Sequence, residues 1–114
     1  MQLTSSHPRT RPIAVGHLRA FEAVARHLNF RAAAEELSLT QSAVSRQIQS
    51  LEEEVGTALF LRHTRAVEIT SAGAQLLRAA AQSLEQIDAA VRHIRQSMGR
   101  RSVAITTFIS SRAR

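Results

Sequence analysis

At 114 residues the chain has room for one small hydrophobic core and is too short for a catalytic domain joined to a regulatory one. Hydrophobic residues make up 44% and aromatics 4%, with alanine prominent, which favours helices packed through small aliphatic side chains over a β-sandwich. All 15 basic residues are arginine and the net charge is +6, a balance suited to a nucleic-acid partner, while the absence of cysteine excludes a disulfide framework and a thiolate zinc site.

Residues 1–14 form a polar lead with Pro8 and Pro12, expected to be disordered, and the first dozen residues lack the apolar stretch of a signal peptide. No apolar run in the chain approaches the length of a membrane span, so the expected location is the cytoplasm, with no membrane partner. A first helix is predicted over residues 15–28, with Leu18, Phe21, Val24, Ala25 and Leu28 on one face. Asn29 and Phe30 break it. A short second helix follows over residues 31–37, with Ala33 and Ala34 small enough to let another helix cross closely. A tight turn then leads to Thr40, whose hydroxyl can cap a third helix that Gly56 can end in the left-handed conformation. Along that helix Val44, Ile48, Leu51 and Val55 make an apolar stripe. The opposite face carries Gln41, Ser42, Ser45, Arg46 and Gln49, and the carboxylates Glu52, Glu53 and Glu54 are confined to the last turn. Such a helix would approach a polyanion by its N-terminal half, as the recognition helix of a helix-turn-helix enters a major groove.

After Gly56 the pattern becomes extended. Leu59, Phe60 and Leu61 form one arm and Val67, Glu68 and Ile69 the other of a predicted β-hairpin wing, with Arg62, His63, Thr64, Arg65 and Ala66 between them. The connection lacks the Asn-Gly or Asp-Gly pair of a two-residue hairpin, so the sequence leaves its register open. Thr70 can cap a long helix over residues 71–98, whose Leu77, Ala80, Leu84, Ile87, Val91, Ile94 and Met98 form a heptad seam of about three repeats. A sustained seam of this kind predicts pairing with a second helix. Residues 99–102 read as a linker and the β-branched run 103–109 as a strand opening a further domain. The expected architecture is therefore mainly α: a winged helix-turn-helix over residues 15–70, a dimerisation helix over 71–98, and a linker with the start of another domain over 99–114.

Three segments, LRAFEAVARHLNF, AAAEELSLTQSAVSRQIQSLEEEVGTALF and RHTRAVEITSAGAQLL, resemble the N-terminal half of LysR-type transcriptional regulators, across roughly Leu18 to Met98. The resemblance implies base-edge contacts from Gln41, Ser42, Ser45 and Gln49, a phosphate or guanine contact from Arg46, and anchoring of the wing by Arg62 and Arg65. It implies a homodimer through the long helix on an imperfect palindromic operator in double-stranded DNA, tetramers in full-length relatives, no cofactor, and a final segment that begins an effector-binding domain, as in an excised or truncated regulator. Two positions depart from the pattern: many relatives carry Pro where Ser42 stands, and Thr or Ser where Arg31 stands. Arg31 then offers a phosphate contact, and Asn29 becomes the candidate cap of the second helix.

Other functions compete with this reading. An enzyme lacks support: His7, His17, His27, His63 and His93 are scattered, and there is no metal-ligand spacing or Gly-rich phosphate loop. A pure dimerisation module that inhibits a full-length regulator would use Leu77 to Met98 but not the polar face of the third helix. Charge-driven, sequence-independent binding would show a steep salt dependence and little preference among sequences.

Overall fold

The computed structural model describes residues 13–112, with side chains through residue 100. Its elements are α1 (Val15–His27), α2 (Phe30–Leu37), α3 (Gln41–Val55), β1 (Phe60–Arg62), β2 (Val67–Ile69) and α4 (Ser71–Arg112). The described chain divides after Ala81 into two compact units.

In the first unit, helix ends follow local chemistry. Asn29 Oδ1 accepts the Ala32 amide at 2.8 Å and starts α2, so the Asn29 side chain is the cap and Arg31 lies within the first turn. Thr40 Oγ1 accepts the Ala43 amide at 3.0 Å and starts α3. Gly56 ends α3 at φ 94°. Leu28 and Ser38 adopt the same left-handed conformation without being glycine, at φ 49° and 57°. Those two αL residues make the tight corners that hold α1, α2 and α3 against one another.

The three helices share one core. Phe21, Val24, Ala33, Val44, Ile48 and Leu51 are almost wholly buried, joined by Leu59 and Phe60 from the hairpin side. The Phe21 and Phe60 rings pack at a tilt of 45° with centroids 5.4 Å apart. Val55, the fourth residue of the α3 stripe, lies at the helix end and is exposed. Outside the core, Arg26 ties α1 to α2. It donates to Glu22 Oε2 at 2.7 Å and to Glu36 Oε2 at 2.7 Å, and His27 Nε2 lies 2.7 Å from Glu36 Oε1. The hydrogen bond from Arg26, and then that from His27, hold the Glu36 carboxyl down at about 2.

The hairpin is antiparallel, pairing Phe60 with Ile69, Leu61 with Glu68 and Arg62 with Val67. A His63 amide to Ala66 carbonyl hydrogen bond of 2.8 Å closes its turn. Arg62 thus belongs to the strand, one residue below the tip where the sequence pattern had placed it. Thr70 caps α4 through the Gly73 amide at 3.0 Å and donates its hydroxyl proton to the Ala58 carbonyl at 2.8 Å, so one side chain fixes both the helix start and the chain before β1. Gly73 is required there: a Cβ would run into the Leu59 carbonyl oxygen and lie 2.7 Å from Ile69 Cγ1.

The first turns of α4 pack into this core through Ala72, Leu76, Leu77 and Ala80. The seam expected for a partner helix therefore begins with two residues, Leu77 and Ala80, that the unit's own core occupies. In the second unit Leu84 is buried and Val91 half-buried, while Ile87, Ile94 and Met98 are 44%, 59% and 54% exposed. The linker expected at 99–102 and the strand at 103–109 are corrected: the backbone stays helical to Arg112. Each β-branched residue costs a helix well under about 1 kcal/mol. A helix satisfies its hydrogen bonds within one segment, whereas a strand needs a neighbour, and no third strand is present among the described residues.

Candidate nucleic-acid interface

At 3.6 residues per turn, Gln41, Ser45, Gln49, Ser42 and Arg46 spread over an arc of about 140° on α3, beginning with Gln41 at the edge of the Val44, Ile48 and Leu51 stripe and extending away from it. Gln41, Ser42, Arg46 and Gln49 are exposed and Ser45 is half-buried. No acidic residue lies in the first turn, so the positive end of the helix dipole is unopposed.

The fold carries these residues to different surroundings. Gln41 and Ser45 line an open groove of about 370 Å³ together with Asn29, Phe30 and Arg31 from the start of α2 and Arg62, His63, Thr64 and Arg65 from the hairpin. Arg31, Gln41, Ser45, Arg62 and Arg65, chosen from the sequence for separate reasons, thus share one concavity. Arg46 borders a second depression with His17, Ala43, Gln47 and Ser50, and Gln49 a third with Glu52, Glu53 and Gly56. The groove is cationic: Arg31 reaches Glu35 only at 3.9 Å with both side chains about three-quarters exposed, and Arg65 has no ion pair among the described residues.

Two arrangements were not evident from sequence. The Arg62 guanidinium lies over the Phe30 ring, Cζ 4.1 Å from its centroid, and donates from Nη1 to Ser45 Oγ at 2.8 Å. The wing is thereby fastened to α3 through Arg62. Glu52, read from sequence as one of three carboxylates at the wrong end of the helix dipole, accepts the amides of Leu59 and Phe60 at 2.8 and 3.3 Å. Neither link has a local signal, since the partners lie seven or more residues apart.

Among the described residues no group of His, Asp or Glu could hold a metal ion, and no helix is long and apolar enough to cross a membrane. Residues 15–74, over half the chain, match the family described as bacterial regulatory helix-turn-helix protein, lysR family. The chain belongs to the LysR family. The HTH-type transcriptional activator AmpR of Providencia stuartii is 49% identical over 71 residues, which is 62% of this chain and 24% of AmpR. Two solved LysR-like structures are similar in fold. A hydrogen-peroxide-bound OxyR mutant of Corynebacterium glutamicum has a TM-score of 0.73 at 31% identity, covering 75% of this chain and 27% of that one. The BenM DBD in its catB site 1 DNA complex has a TM-score of 0.69 at 37% identity, covering 73% of this chain and 93% of that one. The chain spans about a quarter of the length of such curated relatives.

Proposed function

We propose that this LysR-family domain binds double-stranded DNA sequence-specifically as part of a cytoplasmic transcriptional regulator. The N-terminal half of α3 enters the major groove, and the hairpin lies on the backbone or in the minor groove beside it. The observation that carries this reading is the groove in which Gln41 and Ser45 of α3 meet Arg31, Arg62 and Arg65. Groups suited to base edges and groups suited to phosphate face the same space there. The similarity to the BenM DBD in a DNA complex supports it. Binding takes place as a homodimer on an imperfect palindrome, the exposed Ile87, Ile94 and Met98 of α4 supplying the seam, with tetramers formed by a full-length protein.

Selection from a random duplex pool at near-physiological salt tests this reading. The expected result is an interrupted inverted repeat with half-sites about one helical turn apart. Salt-sensitive binding without any enriched motif would instead mark charge-driven association. The exposed seam also fits a second reading, a module that dimerises with a full-length regulator and inhibits it. The two readings separate on Gln41→Ala and Arg46→Ala, which weaken binding to a chosen site under the first and change nothing about dimerisation under either.

A further inference from the structure

We propose that Arg62 is a positioning residue for base recognition that acts through Ser45, making the serine hydroxyl a hydrogen-bond donor toward DNA, so that the base beneath it is selected for an acceptor. This rests on the reading of α3 as a DNA-reading helix. A serine hydroxyl has one proton and two lone pairs, and a guanidinium only donates. With Arg62 Nη1 at 2.8 Å, Ser45 Oγ accepts from it and turns its own proton elsewhere. No other hydrogen bond engages the Ser45 side chain among the described residues, so that proton is uncommitted. The second lone pair lies beside a cation, and a base amino group approaching it would bring its positive hydrogens toward the guanidinium. Purine N7, guanine O6 and thymine O4 fit the donor; the amino groups of cytosine and adenine do not.

Three constraints fix the direction of the guanidinium. Arg62 is held in the ladder opposite Val67. Its planar head is stacked on Phe30, and the Phe30 ring meets the Phe60 ring nearly edge-on with centroids 6.2 Å apart. A lysine in its place would keep a donor for Ser45 but lose the planar stack that aims it.

Selection from random duplexes with the wild type, Ser45→Ala, Arg62→Met, Arg62→Lys and the Ser45→Ala/Arg62→Met double variant tests the proposal. Ser45→Ala and Arg62→Met are expected to flatten the same base pair, each reducing preference there about two- to tenfold. The double variant should be no flatter at that pair than either single change, and Arg62→Lys should restore part of the preference. If Arg62→Met weakens all sequences alike, lowers the salt slope and leaves every base preference unchanged, Arg62 is a phosphate contact and the proposal fails while the wild-type motif stands. A wild type that enriches no motif overturns the DNA-reading function and this inference with it. The stack is checked without DNA by NMR: Arg62 side-chain protons should be shifted upfield by the Phe30 ring and return on Phe30→Leu. Unshifted protons in the wild type would overturn the geometry on which the proposal stands.

Discussion

The Glu52 carboxylate in the last turn of α3 accepts the Leu59 amide at 2.8 Å, binding the helix that presents the polar face to the residue that leads into the hairpin. Glu52→Ala leaves that part-buried amide and its neighbour at Phe60 without a partner, at an expected loss of about 1–3 kcal/mol. Glu52→Gln keeps an acceptor and should lose less. Urea denaturation midpoints measure both, with Glu53→Ala as the exposed control expected within about 0.5 kcal/mol of wild type. Equal effects from Glu52→Ala and Glu53→Ala would show that the amide contacts contribute nothing.

Gly73 and Gly99 both sit in α4 and predict opposite outcomes. Gly73→Ala drives a methyl group against the Leu59 carbonyl and Ile69, and is expected to destabilise by about 1–3 kcal/mol. Gly99 has nothing within 4 Å of the same position, so Gly99→Ala should stabilise the helix by about 0.5–1 kcal/mol. Thermal melting of the two variants gives the sign directly.

The Glu36 carboxyl is held at about 2, below its ordinary 4.5, by Arg26 and then His27. A depressed carboxylate contributes stability that is fully present above about 4.5 and disappears as pH falls through about 2. With the side chain 37% exposed, solvent screening reduces the contribution to under about 1 kcal/mol. Glu36→Gln should therefore lower stability slightly at neutral pH and converge on the wild type near pH 2. A difference that persists undiminished in acid would assign the effect to packing instead of charge.

The dimer seam is testable at positions that the core does not occupy. Ile87→Glu together with Ile94→Glu changes two exposed residues, leaves Leu77 and Ala80 in place, and should yield folded monomers. Sedimentation equilibrium reads the mass. A dimer that survives both substitutions removes α4 beyond Ala81 as the pairing surface.

Much of the fold was legible because its causes are local. The stripe Val44, Ile48 and Leu51, the caps at Thr40 and Thr70, and the αL stop at Gly56 depend on residues within a few positions of one another. Asn29 was readable as a cap for the same reason. The start and stop of α3, the start of α4, the order of elements through α4 and the polar face of α3 were thus determined by the sequence alone. The stop expected near Gly99 failed because a lone glycine costs a helix only about 1 kcal/mol, less than ending its hydrogen bonds with no strand to pair with.

Tertiary structure decided everything that joins distant residues. It set the hairpin register, made Arg62 a link between Phe30 and Ser45, and made Glu52 the partner of the Leu59 amide. It also divided the α4 seam, claiming Leu77 and Ala80 for the core while Ile87, Ile94 and Met98 stay exposed. Periodicity reports which residues share a face of a helix. What that face meets is settled only when other elements pack against it, because burial, stacking and charge pairing act through space and carry no spacing along the chain.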